Sequence, residues 1–468
     1  MSKNHKVLSF GIFFSSLIFV SSLAFFGCSD GGSDSSSPVT VSQPKQDNPG
    51  GNGKVEEKEK QGGNESSRTI KLSDAPVGYA AVTAQTGTGT TVSTRSDLLS
   101  AISNGGLIYV KGTIDMSDGM LPSVAGGSTT KLDDFVKTQT TSLNSKHSDL
   151  YPNVYTKYVD FKNAYANLCS SSTDDKSSSS TTTALSRTLW KLNPEYGKII
   201  KINVGSNTTI IGLADAVIKG GTFQISNASN VIIRNITIKD AYDPFPHHEK
   251  NDGFNAQWDC ISIDSSTNVW LDHCTFEDTM KYSMVKINNS NTEEKWQIYD
   301  GMCDMKNDTT NVTISNCIFK NHDKTMLIGS DDSDGDNTKR FVTLYGNYFL
   351  NCVQRLPMVR NTTIHIFNNY YDTTNSTYEN DYAIGRRKNC IVYAENNYFG
   401  SGIKYSVKET NGELHSSGNE DKSSKKSTAA TDSALFSSLN KYTYTAVSAS
   451  DAKKSVLETA GAGCILAD

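Results

Sequence analysis

The sequence has little excess of positive charge: 45 Lys and Arg stand against 50 Asp and Glu in 468 residues, a formal net charge of −5. A nucleic-acid binder usually carries a basic domain or stripe, so that class is set aside. Apolar residues are scarce as well, at 36%, with a mean hydropathy of −0.45. That is low for a globular chain yet above wholesale disorder. Long apolar runs are missing outside the first 28 residues, which excludes a multi-span membrane protein. No Cys-x-x-Cys pair exists, so a zinc or dithiol-redox reading has no support. Helical periodicity is weak over most of the chain. Dividing the length by about 150 residues per domain suggests three domains, but that division fails for repeats, and this chain repeats.

Residues 1–28, MSKNHKVLSFGIFFSSLIFVSSLAFFGC, set Lys3 and Lys6 before an apolar run from Val7 to Phe26 and end on Gly27-Cys28. This is the layout of a secretory signal. Its ending resembles a bacterial lipoprotein signal, in which cleavage leaves a lipidated Cys, here Cys28, at the new N-terminus. Phe25 stands where a strict lipobox has Leu. The alternative is a single N-terminal membrane helix, since about 20 residues span a bilayer. Residues 29–67 are rich in Ser, Gly, Pro and alternating charge and read as a disordered tether averaging about 35 Å end to end. The folded part is expected over 68–468, in a monomer secreted or lipid-anchored at a bacterial membrane. Setting Cys28 aside leaves Cys at 169, 260, 274, 303, 317, 352, 390 and 464. Disulfides are permitted in an exported chain, but spacing does not give their pairing.

Six stretches align: NVIIRNITI (230–238), NVWLDHCTF (268–276), NVTISNCIF (311–319), FVTLYGNYF (341–349), TIHIFNNYY (363–371) and IVYAENNYF (391–399). NTTIIGLAD at 207 is a weaker copy. Each alternates β-branched residues, turns on a small polar residue and adds a short apolar pair. The 22 residues from Phe341 to Thr363 match one coil of a parallel β-solenoid, and longer intervals are coils with inserted loops. No such strand buries its apolar face alone, so stacked coils build one core. The sixth positions (Asn235, His273, Asn316, Gly346, Asn368, Asn396) read as an inward turn whose stacked amides satisfy buried backbone groups. Cys274 and Cys317, at the next position, read as small buried residues in a stack rather than a disulfide. Residues 130–192 are Ser-rich and partly helical in pattern, an expected insertion beside the first coils.

Solenoids host binders and enzymes alike, so function has to come from a site. Four clusters stand out: QWDCISIDSSTNVWLDHCTFED (257–278), IYDGMCD (298–304), HDKTMLIGSDDSDGD (322–336) and QRLPMVR (354–360). Each alone reads as a turn or a solvated face. Together they occupy comparable places in successive coils. Asp259, Asp300 and Asp304 precede their strands, and Lys324 and Arg355 follow the ends of theirs. Coils stacked at about 4.8 Å bring these residues to one flank, as a groove with acid at one end and Lys324, Arg355 and Arg360 at the other.

These motifs resemble the pectate lyase family of right-handed parallel β-helices. The likeness runs through GYAAVTAQTGTGTTVSTRSDLLSAI (78–102), YVKGTID (109–115), GSNTTIIGLADAVIKGG (205–221), NVWLDHCTF (268–276), DKTMLIGS (323–330), RLPMVR (355–360) and NNYF (396–399). It implies an all-β right-handed solenoid and calcium-dependent β-elimination of polygalacturonate. Carried over residue by residue, it implies Asp259, Asp300 and Asp304 as Ca²⁺ ligands, Lys324 and Arg360 as binders of substrate carboxylates, and Arg355 as the proton-abstracting base. Arg387, in GRRKN, resembles a further substrate-binding Arg. Gln257 departs from members with Asp two residues before the one at 259, leaving three protein carboxylates and a weaker hold on Ca²⁺ in the free enzyme.

The chemistry agrees with that implication. Ca²⁺ takes six to eight oxygens, so three Asp leave positions open for water and substrate. An Arg base is unusual, because Arg is ordinarily always protonated, and nearby cations have to depress its pKa. Three rivals are weighed. A polygalacturonase needs paired carboxylates flanking the scissile bond, and Asp331, Asp332, Asp334 and Asp336 supply the number but read as a turn. A pectin lyase acts on methyl esters without Ca²⁺, against which the three Asp speak. A surface glycan-binding solenoid does not require Asp300, Asp304, Lys324, Arg355 and Arg360 together.

Overall fold

The computed structural model describes residues 68–181, 183–427 and 442–467. Cys28, the signal segment and the tether expected over 29–67 lie outside the described residues. The alternating β-branched blocks form three parallel sheets of ten, nine and eight strands. One coil shows how they are filled. Thr267–Asp272 enters the ten-stranded sheet, Thr275–Glu277 the nine-stranded and Cys303–Lys306 the eight-stranded, before Thr310–Ser315 starts the next coil. The chain is the right-handed parallel β-helix that the repeats predict.

The register is the one read from the letters. Val231, Val269, Val312, Val342, Ile364 and Val392 stack in one row. Inside, Phe276, Phe319, Phe349, Tyr371 and Phe399 form a column with ring centroids 4.7–5.1 Å apart. Helix Arg95–Asn104 closes the first coil: the Thr94 hydroxyl accepts from the Asp97 N–H, and Leu98, Ala101 and Ile102 join the solenoid core.

The amide stack sits one position later than expected. All the sixth positions are left-handed, with φ between 48° and 65°, a conformation Asn and Gly reach at low cost. The ladder runs through the seventh. The Cys317 N–H donates to Asn347 Oδ1, Asn347 to Asn369, Asn369 to Asn397 and Asn397 to Asn419, at 2.8–3.0 Å. Cys274 N–H continues it to Cys317 Sγ at 3.4 Å. All eight described Cys are buried and free, so the stacked-residue reading holds over a disulfide.

The region expected as a partly helical insertion carries three helices, Thr130–Lys146, Tyr158–Leu168 and Ala184–Ile200, the last running on into strand Lys201–Asn203. Leu185, Leu189, Leu192, Tyr196 and Ile200 give it a buried stripe at helical spacing. With Tyr158, Phe161 and Tyr165 they form a second core against Phe245, Trp258 and Trp296. Those three sit on the long loops between the nine- and eight-stranded sheets. The helices therefore brace the loops that carry Asp259 and Asp300.

Candidate active site

The site lies where the long loops return to the eight-stranded sheet. Asp259 stands two residues before Ile261–Asp264, and Asp304 lies within Cys303–Lys306, whose Cys303 pairs with Ile261. Lys324 ends strand Ile318–Lys324 and pairs with Gln354, so Arg355 emerges one residue further along the neighbouring coil. Arg355 has φ 61°. A long side chain held in the left-handed region is uncommon and concentrates at functional sites.

Asp300, Asp304, Lys324 and Arg355 line one cleft of about 700 Å³, its open mouth included. Asp259 is buried beside Asp304: a Cβ on Gly301 would meet Asp304 Oδ1 at 2.3 Å and Asp259 Oδ1 at 2.9 Å. The carboxylates therefore close around a backbone that only Gly allows. Burial, with repulsion from Asp300, pushes the Asp259 carboxyl up to about 6. Asp304 is raised well above the ordinary range, by burial first and by Asp259 next. Lys306 Nζ offsets part of this charge from 3.3 Å to Asp259 Oδ2 and 3.9 Å to Asp304 Oδ2. Among the described residues no three or more His, Cys, Asp or Glu gather as a ready metal cluster; Asp300 acts on the buried pair through its charge. Carboxylate oxygens under mutual repulsion, gathered around Gly301, fit a hard, oxygen-seeking cation such as Ca²⁺.

A polar chain holds Lys324. Lys324 Nζ donates to Asn255 Oδ1 at 2.7 Å, and Asn255 Nδ2 donates to Glu249 Oε1 at 2.8 Å. His247 Nε2 lies 2.8 Å from the same oxygen, and Gln257 Nε2 3.1 Å from His247 Nδ1. Burial works against ionising Glu249, but the hydrogen bonds and charge of its partners overcome it and hold its carboxyl below the ordinary range. These residues sit on an antiparallel hairpin, His247–Glu249 with Gly253–Asn255. The Trp190 ring, from the helical insertion, lies 5.4 Å from that of His247.

Not every expected residue joins the cleft. Arg360 is buried beside it, its Nε donating to Asp332 Oδ1 at 3.2 Å and its Nη1 to the Gly329 carbonyl at 3.2 Å, and it does not line the cleft. Arg387 is half-buried, its backbone N–H bonded to the Val359 carbonyl, and also lies outside. The Asp331–Asp336 segment is a turn: Asp331 accepts from Ser333, Asp336 from Thr338, and Asp334 binds Arg340 at 2.6 Å. Sequence reasoning missed Lys306, although strand alternation puts it on the same face as Asp304 two residues earlier. It missed the Glu249–His247–Asn255 hairpin as well, for which HHE alone is no signal.

Comparisons with known proteins point to one family. The family model described as pectate lyase matches residues 196–465. A pectate lyase of Bacillus subtilis (strain 168) is 34% identical over 320 residues, 66% of this chain and 69% of that protein. Pectate lyase D of Dickeya chrysanthemi is 42% identical over 204 residues, 42% of this chain; the match spans about half of that protein, 52%. Among solved structures, a pectate lyase bound to hexasaccharide superposes with TM-score 0.58 at 27% identity, over 83% of this chain and 96% of that one. The pectate lyase from Acidovorax avenae subsp citrulli shares the fold, with TM-score 0.66 at 22% identity over 86% of this chain and 98% of that one. The chain belongs to the pectate lyase family of polysaccharide lyases.

Proposed function

We propose that this chain cleaves α-1,4-polygalacturonate by calcium-dependent β-elimination, giving 4,5-unsaturated oligogalacturonides. One observation carries the proposal: Asp304, raised by burial and by the buried Asp259 beside it, lines a single cleft together with Asp300, Lys324 and Arg355. Asp259, Asp300 and Asp304 would hold Ca²⁺, which when bound neutralises a uronate carboxylate and acidifies the C5 proton α to it. Lys324, fixed by Asn255, binds the substrate carboxylate and stabilises the enolate-like charge as it develops. Arg355, as the neutral guanidine, takes the C5 proton. The C5–H electron pair becomes the C4–C5 double bond, and the C4–O bond breaks with its electrons on the leaving oxygen. Raising the pH increases the neutral fraction of the base and so the rate. Arg360, tied to Asp332, and Arg387 are assigned to further carboxylates of the bound chain outside the cleft. We also infer secretion as a monomer tethered by a lipid on Cys28.

The test is a purified protein incubated with polygalacturonate, with Ca²⁺ or with chelator. Ultraviolet absorbance rising only with Ca²⁺ is the expected result. New reducing ends without absorbance mean hydrolysis, and neither signal means a binder.

A further inference from the structure

One buried imidazole touches both halves of the site without lining the cleft. The loop that carries Asp300 leaves the nine-stranded sheet after Thr275–Glu277, at Asp278, and reaches the eight-stranded sheet at Cys303. His322 lies one coil further on, in strand Ile318–Lys324, two residues before Lys324. Asp278 is 5% exposed and His322 2%. Neither side chain can reach substrate, and neither lines the cleft.

The ring is engaged at both nitrogens. His322 Nδ1 lies 2.5 Å from Asp278 Oδ2, and Nε2 lies 3.2 Å from the Lys324 carbonyl oxygen. The Asp300 backbone is a further hydrogen-bond partner of the same ring. A carbonyl oxygen only accepts, so Nε2 carries the hydrogen and Nδ1 is left to meet the carboxylate. One side chain therefore joins the first residue of the loop, its metal-binding end and the backbone of Lys324.

The next residue repeats the tie. Asp323 Oδ2 accepts from Lys295 Nζ at 2.6 Å, and Lys295 belongs to strand Glu293–Trp296, midway along the same loop. Asp323 Oδ1 accepts from Gln354 Nε2 at 3.2 Å, and Gln354 immediately precedes Arg355. A buried ion pair such as Asp278–His322 adds little net stability, because desolvation offsets the attraction. Its contribution here is direction: partners behind a site fix the groups that face the ligand. We infer that His322, held by Asp278, is a positioning residue that keeps the Asp300 loop and Lys324 in one register. This inference rests on the roles proposed above for Asp300 and Lys324. It implies that a single change outside the cleft weakens metal binding and substrate binding together.

The full chain and its His322→Leu, His322→Gln and Asp278→Asn variants are titrated calorimetrically with Ca²⁺ alone. Each is then assayed on polygalacturonate at saturating Ca²⁺. His322→Leu should weaken Ca²⁺ binding about tenfold and raise KM about tenfold, with a smaller fall in kcat. His322→Gln, whose amide still donates to a carbonyl, should recover part of both losses, and Asp278→Asn should fall between. If the leucine variant does not fold, the other two decide. A lower thermal midpoint with both constants unchanged makes the pair merely structural and overturns the inference. So does a loss confined to one constant, or a glutamine variant as impaired as leucine. An unaltered chain that neither binds Ca²⁺ nor cleaves removes the roles of Asp300 and Lys324, and the inference with them; variants that match an active parent overturn the inference alone.

Discussion

Arg355 and Lys324 present positive charge to the same cleft but are held differently, and that separates their roles. Lys324 is pinned by the Asn255 carbonyl oxygen, which suits a group that holds a carboxylate in place. Arg355 owes its place to a left-handed backbone. If it is the base, Arg355→Lys keeps the charge but shortens the reach and loses the planar fork. Steady-state kinetics at pH 8–9 should then show kcat lower by about 10²–10⁴ with KM little changed. Retention of most of kcat would remove Arg355 from the chemistry. The acid side has its own signature. With burial pushing the Asp259 carboxyl up to about 6 and Asp304 well above the ordinary range, the free pair holds protons in mildly acidic solution. Protons and Ca²⁺ compete for the same oxygens, so affinity is lost as pH falls through about 6, where Asp259 takes up its proton. Calorimetry without substrate should give distinctly weaker Ca²⁺ binding at pH 5 than at pH 8; equal affinities would place the metal elsewhere.

At the scale of elements, two devices hold the geometry: a hairpin and a ladder. The hairpin residue Asn255 joins Lys324 to Glu249, so Asn255→Ala frees the ammonium without changing its charge. KM should rise about tenfold, with a smaller fall in kcat, and Asn255→Asp, which keeps an acceptor, should restore part of it. The ladder residue Asn369 receives the Asn347 N–H and donates to the Leu344 carbonyl. Asn369→Leu leaves both unpaired in the core and should cost about 1–3 kcal/mol in denaturant unfolding. A neutral result would mean that the amide column merely fills space. Much of this was legible beforehand. Two-residue alternation fixes which face is buried, so the row from Val231 to Val392 could be aligned by eye. The amide column was misplaced by one position because Asn serves two purposes here, as a left-handed turn residue at 368 and as a ladder rung at 369. Lys306 and His247 escaped notice for a related reason: lone polar residues near strand ends look the same in sequence whether they face solvent or a buried carboxylate.

Across the whole molecule, the cleft and the clasp between the first and last described strands lie on different faces, which makes stability and catalysis separable. The cleft opens beside the eight-stranded sheet, while the first and last described strands meet at the turn between the ten- and nine-stranded sheets. There Thr69–Lys71 pairs in parallel with Ile465–Ala467. Arg68 donates to the Thr459, Gly461 and Ala462 carbonyls. The Asn235 side chain grips the same segment, Oδ1 accepting from the Gly463 and Cys464 N–H groups and Nδ2 donating to the Cys464 carbonyl. Cys464 itself packs with Ile70, Leu107 and Ile211. A variant ending at Ala460 loses this apolar contact and leaves Asn235, buried in the turn, without the segment it binds. Each lost hydrogen bond is worth about 0.5–1.5 kcal/mol, and each kcal/mol about 2–4 °C or less in a chain of this size. Calorimetry should therefore show the thermal midpoint lower by several degrees. Initial rates at 25 °C should stay within about twofold, because residues 461–465 hydrogen-bond to Asn316, Thr275, Asn235 and Arg68, none of which lines the cleft. A fall in kcat with an unaltered midpoint would show that the clasp reaches the site through the coils, and that the β-helix transmits strain along its axis rather than isolating its two faces.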